Sequence, residues 1–580
     1  MPPLTSSPTH ASIHSWWSDS NPALQGPTIN LHAVTKPLLR IMYHRQALNF
    51  IKTNRFVPLL KEGVLSTLSS YLPLKYVFFS TKASIMRELL RRARSDHYDR
   101  HTIIEDSFVV HQITLEMLSS PNIEVRNVTM QLLGALSRYP FAVPAILEMD
   151  TCSRLVALLS DKHESISDTA IYVLAMVAGY RSSEGAAAVV SANMLDYILE
   201  LLGSPRAEVL EWTCQLVGNL ASHESIAPVL LQINPCVPLI CILREQPEVV
   251  ISGAVYALSG IARQAEGAAA AVDANLPDYI LELLASSYTE IRRCTCRLVG
   301  RLASHKSIVP VLLQAHPLMV TPYISEQPDH VIEEAIIALS QIAQWTEGAT
   351  AVIDANLPDY IRELLASPNT KIRRCTHWLV GRLASHKSIA PVLLQVHPCV
   401  PLVSFLRVKP DYYSKEGIIF ALAQIAQWPD GAVAVVDATM LDYVPELLES
   451  WNSFICRATC WLVGSLASYD STARVVLQFN PSKLLSALLH GEPDAVIGMA
   501  IYALGQIARW PKGAQQTVDA GAPDSVVGLL KSSRRDVADH TCDLLRNLAL
   551  HELLPTKLVL NLCEIGIRRM HAAGKESKKK

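Results

Sequence analysis

An all-α solenoid of stacked helical repeats is the fold class that this 580-residue sequence predicts. Three observations lead to it. Residues 291–317 read IRRCTCRLVGRLASHKSIVPVLLQAHP and residues 372–398 read IRRCTHWLVGRLASHKSIAPVLLQVHP, and only four of these positions differ. The glycine of the LVG element recurs as Gly134, Gly218, Gly300, Gly381 and Gly464, at spacings of 81 to 84 residues. Halfway between these copies runs a related phrase: YVLAMVA (172–178), YALSGIA (256–262), IALSQIA (337–343), FALAQIA (420–426) and YALGQIA (502–508). The unit is therefore about 41–42 residues in two alternating flavours, a period that marks helical units unable to bury their apolar faces alone.

Taken in chain order, residues 1–28 are rich in Ser, Pro and Asn, contain no Lys or Arg, and are predicted to be disordered. Trp16 and Trp17 stand out there, as an anchor against the first helices or as a separate contact. Residues 29–102, with STKASIMRELLRRA at 80–93, read as helical but off-register, as an atypical terminal cap would. The array then spans 103–552, and 553–580 form a last helix and a short basic tail, GKESKKK.

Within one unit, Ile291, Thr295, Leu298 and Leu302 follow the i, i+3/i+4, i+7 rule of an amphipathic helix. LPDYILELL (276–284) makes a second helix, with Pro277 in the first turn where its missing N–H costs nothing; Pro358 and Pro523 repeat the choice. A shorter helix follows SHKSI, and SPN (367–369) is a turn. No segment sustains period-two alternation, so each repeat is read as three helices.

A short helix, a DANLPDYIxELL helix and an ALxxIA helix in that order resemble the armadillo repeat, over roughly eleven repeats between 103 and 552. HEAT repeats, the nearest rival, use two helices. The near-duplicate units are similar to fungal armadillo proteins related to the vacuolar armadillo adaptor. The resemblance implies a right-handed superhelical solenoid.

Half of the residues are apolar and 18% are charged, as a continuous core requires. A formal net charge of −2 gives no support for nucleic acid or anionic membrane as a partner. No run of eighteen uncharged apolar residues and no basic-then-apolar leader is present, so no membrane insertion is expected. The chain is expected in the cytoplasm, or in the nucleus if the basic tail acts as an import signal, and as a monomer.

No cofactor, metal or catalytic set is expected. Cys214, Cys296, Cys460 and Cys542 share one helical register, filled by His377 in another copy, and copies two repeats apart stand too far for a shared ion or disulfide. They read as small buried thiols. His223, His305 and His386 in ASHxSI align with Tyr469 and His551, which argues for capping or packing rather than ligation. The glycine of LVG lies inside a helix, where it costs about 1 kcal/mol relative to Ala. Its recurrence implies close approach of the next helix.

In the armadillo family the third helix of each repeat lines a concave groove. Carried over by register, this implies rows such as Arg293–Arg297–Arg301, Glu333–Ile337–Gln341, Arg374–Trp378–Arg382, Glu416–Phe420–Gln424, Arg457–Trp461–Ser465 and Gly498–Tyr502–Gln506. The first position alternates in sign, which reads as a ladder of inter-repeat ion pairs. The partner-binding candidates are Arg297, Arg301, Gln341, Trp378, Arg382, Phe420, Gln424, Trp461, Tyr502 and Gln506, since Arg and aromatic residues dominate interface hot spots. The function expected is that of a non-enzymatic scaffold or adaptor holding an extended, acidic peptide or protein partner. Two alternatives stay open. An importin-like receptor would use Trp-x-x-x-Asn pairs, whereas here Trp378 and Trp461 are followed by Arg382 and Ser465. A membrane-recruited adaptor of the vacuolar kind would begin Met-Gly with nearby cysteines, whereas this sequence begins Met1–Pro2 and has no cysteine before Cys152.

Overall fold

A computed structural model describes residues 31–554 apart from 55–63, 75–76, 96, 107–111, 149, 162, 181, 316–326, 356, 409 and 491. The predicted disordered segment with Trp16 and Trp17, and the basic tail, lie outside the described residues. Every regular element among the described residues is helical, and no single helix is long and apolar enough to cross a membrane. The chain divides into two compact units, Met1–Arg181 and Ser182–Lys580.

In the first unit α1 (Phe79–Ser95), α2 (Ile123–Ser137) and α3 (Glu164–Ala178) pack in succession. Arg92, fully buried in α1, bonds Glu88 at 2.8 Å and the Asn54 carbonyl at 2.6 Å. A guanidinium buried at that depth needs such partners to offset its lost hydration.

The second unit is a succession of long helices: α4 (Ala207–Ala221), α5 (Glu248–Ile261), α6 (Thr289–Ala303), α7 (Asp329–Ile342), α8 (Thr370–Ala384), α9 (Tyr412–Ile425), α10 (Ser453–Ala467), α11 (Asp494–Ile507) and α12 (Arg535–Leu550). Each packs on the one before and the one after. Two shorter helices precede a long one, as Thr346–Asp354 and Leu357–Leu365 precede α8. Asn369 of the SPN turn caps α8, its side-chain oxygen accepting from the Lys371 N–H at 2.9 Å. Corners between the shorter helices need a left-handed residue, supplied by Asn275 (φ 65°), Thr439 (φ 62°) and Gly521 (φ 73°). Asn tolerates that conformation better than most residues, which explains the asparagine of DANL.

Polar residues on the core face are satisfied locally. Thr213, Thr295, Thr376, Thr459 and Thr541 are fully buried. Each hydroxyl donates to the carbonyl four residues back, at 2.6 to 2.8 Å. Such a threonine behaves as an apolar residue toward its neighbours.

The recurrent glycines permit the stacking, as expected. A Cβ on Gly300 would stand 3.2 Å from Ala338 Cα of α7. One on Gly381 would lie 2.5 Å from the Phe420 ring and 3.2 Å from Ala421 Cα, and Gly464 faces Tyr502 and Ala503 in the same way. A second set was not foreseen. At the corner after a long helix, a Cβ on Gly267, Gly348, Gly431 or Gly513 would overlap the carbonyl oxygen of Ile261, Ile342, Ile425 or Ile507 respectively. These corners turn so tightly that only glycine fits against the backbone.

Candidate functional site

From α8 to α12, side chains of successive long helices of the second unit converge on a cleft of about 740 Å³. Six of the ten sequence candidates line it: Trp378 and Arg382 from α8, Phe420 and Gln424 from α9, Trp461 from α10 and Tyr502 from α11. Ser385, Phe454, Arg457, Ala458, Met499 and His540 complete the wall. The Trp378 ring lies 4.8 Å from Phe420 and 5.8 Å from Phe454, and Tyr502 lies 5.4 Å from His540. Gly417 makes room for this packing, since a Cβ there would stand 3.3 Å from Trp378 Nε1.

The remaining candidates lie elsewhere. Gln506 lines a smaller polar pocket of about 230 Å³, which shares Tyr502 and His540 with the cleft. Gln341 lies half-buried on α7, before the cleft begins. Arg297 is held by Glu334 of α7, its Nε 3.0 Å from the carboxylate, and Arg301 lies one turn further along α6. The row rule missed Phe454 and Met499 because each sits three residues before the residue chosen, Arg457 and Tyr502, and i, i+3 is the other neighbour spacing on a helix. From α12, His540 reaches the cleft, while Asp543 and Asn547 line the smaller pocket beside it.

The expected ladder of alternating charges does not form on those residues. Arg293 bonds Glu290 of its own helix at 2.9 Å and approaches Glu334 at 3.7 Å, while Glu333 faces Lys371 at 3.9 Å. Glu416 accepts from Asn452 at 2.7 Å, Arg374 lies over the Tyr413 ring, and Arg457 lies over Phe454. Each of these charges is thus taken up by a residue other than its row partner.

Among the described residues no carboxylate lines the cleft, while two guanidinium groups do. Burial pulls the Arg382 guanidinium below its ordinary value. Arg301 is lowered by burial first, then by the like charges of Arg263 and Arg297. An anion brought to either position relieves that penalty.

The histidines of ASHxSI hold the stack together. His305 Nε2 donates to the Ala262 carbonyl at 2.9 Å, and His386 Nε2 to Ala343 at 2.8 Å. Tyr469 does the same to Gln427, and His551 to Arg509 at 3.2 Å. In alternate repeats an indole takes this part, unforeseen from the sequence: Trp345 donates to Ala303 at 2.8 Å, Trp428 to Ala384 at 2.7 Å and Trp510 to Ala467 at 2.8 Å. Each bond satisfies an orphan carbonyl at the end of the preceding long helix.

The register cysteines Cys214, Cys296 and Cys460 are buried, with Cys542 half-buried. Burial pushes the Cys214 and Cys296 thiols up to about 12, so they stay protonated and unreactive. No cluster of His, Cys, Asp and Glu able to hold a metal is found among the described residues.

No family model matches the chain, and no curated protein matches it. Among solved structures the chain is similar to a crystal structure of an engineered protein, at 22% identity with a TM-score of 0.51, over 76% of this chain and 98% of that one. At that identity the likeness is one of fold: an all-helical, solenoid-like succession of packed helices.

Proposed function

We propose that the chain is a non-enzymatic scaffold of the armadillo type, with about eleven three-helix repeats in a right-handed superhelix, and that its cleft holds an extended acidic peptide of a partner protein. One observation carries this reading: the wall from α8 to α12 combines Trp378, Phe420, Phe454, Trp461 and Tyr502 with Arg382 and Arg457, and no carboxylate. Aromatic rings supply area to bury, at about 1.5–3 kcal/mol for a fully buried large apolar side chain. The guanidinium groups select the sign of the ligand and fix its register.

Titration of the full chain with labelled extended peptides of acidic, neutral and basic composition tests the reading. The acidic series is expected to bind, with affinity falling as salt rises. Arg382→Glu with Arg457→Glu is expected to weaken binding by about thirtyfold or more, since loss of a desolvated charge pair costs about 2–5 kcal/mol. Equal binding by the doubly reversed variant, with its helical signal unchanged, refutes the reading.

A further inference from the structure

The duplication that defines the array also duplicates a charge. Arg301 and Arg382 hold the same place in the two near-identical segments, on α6 and α8, and α7 packs between them. Neither has an ion-pair partner among the described residues. Glu334 is the carboxylate that acts on Arg301, and it is already engaged by Arg297 at 3.0 Å and by Arg293 at 3.7 Å. Arg263 and Arg297 add positive charge beside Arg301. Each site therefore holds a guanidinium at the same position of the repeat, with its charge uncompensated by an ion pair.

Resting on the cleft reading, we infer that the bound peptide carries two anionic groups, one for Arg301 and one for Arg382. Stacked helices lie about 8–10 Å apart, so two steps span about 16–20 Å, which an extended chain covers in about five to six residues. The aromatic wall of Trp378, Phe420 and Phe454 begins at Arg382 and runs away from Arg301. The ligand order is thus anion, spacer, anion, then a large apolar residue. Carboxylate and phosphate both satisfy this chemistry.

The experiment uses the full chain and labelled peptides of constant net charge, in which a second anion lies about two, six or nine residues from the first. One series carries Glu and a parallel series carries phosphoserine, so the source of the anion is distinguished. Fluorescence anisotropy is expected to show the six-residue spacing binding about tenfold tighter than the others in at least one series. Arg301→Gln is expected to remove that gain, bringing the six-residue spacing down to the affinity of the others, and Arg301→Lys to keep most of it. Spacing-independent affinity in both series, or a gain that survives Arg301→Gln, overturns this inference alone. Failure of every peptide to bind overturns the cleft reading with it.

Discussion

Gly348→Ala gives the sharpest test of why the repeats turn where they do. A Cβ at this position would overlap the Ile342 carbonyl oxygen and stand 2.8 Å from Ile342 Cγ2 and 2.9 Å from the carbonyl carbon. Backbone cannot rotate aside as a side chain can, so the end of α7 and the helix Thr346–Asp354 must move apart. Such overpacking costs about 1–3 kcal/mol. The movement also carries Trp345, whose indole bonds the Ala303 carbonyl at 2.8 Å; losing that bond adds about 0.5–1.5 kcal/mol. The better helix propensity of Ala returns at most about 1 kcal/mol. A net loss of about 0.5–3.5 kcal/mol follows, read as a lower midpoint in urea unfolding followed by circular dichroism. Gly528→Ala is the control, because nothing lies within 4 Å of a Cβ there. That variant is expected to be neutral or slightly more stable. If Gly348→Ala unfolds at the wild-type midpoint, or both variants fall equally, the tight corner is not what requires the glycine.

Three further outcomes are expected. Gly300→Leu places a branched side chain where even a Cβ meets Ala338 Cα at 3.2 Å, so its thermal midpoint falls well below that of Gly300→Ala; equal midpoints would sink the close-approach account. Trp428→Phe keeps the ring but leaves the Ala384 carbonyl without its indole donor, and a loss of about 1–2 kcal/mol in urea unfolding is expected, while an unchanged midpoint argues that water replaces the bond. Burial pulls the His377 imidazole down to about 3, against an ordinary value of about 6.5, so below that value the unfolded chain takes up a proton that the folded chain refuses. Stability from this site is complete above about pH 6.5 and is lost as pH falls, by about 2 kcal/mol at pH 5. His377→Cys, the residue of the sister copies, removes that loss, and parallel stability curves for the two proteins between pH 7 and 5 contradict the assignment.

Much of the fold was legible because helical repeats encode their neighbours along the chain. The all-helical succession of packed helices, the small site at Gly300 and the turn at Asn369 all follow from spacing. The capping role of His305 and His386 was legible too, from Tyr469 standing in the same place. Trp345, Trp428 and Trp510 recur at the period of the array, but their recurrence does not say which atom each indole meets, and only the stack shows it to be a carbonyl of the preceding long helix. The corner glycines Gly267, Gly348, Gly431 and Gly513 also recur at the period of the array, but the backbone oxygen that each must avoid is visible only in the folded corner.

For the candidate site, the sequence alone determined which residue types would share a face, because a helix places every fourth residue in line. It could not determine which of them are spoken for. Arg297 and Arg382 are both arginines of the i, i+4 rows, yet Arg297 is bound to Glu334 and Arg382 lines the aromatic cleft. That difference is set by what the neighbouring helix brings across the stack, Glu334 of α7 to Arg297 and the rings of the cleft to Arg382, and only the tertiary structure decides it.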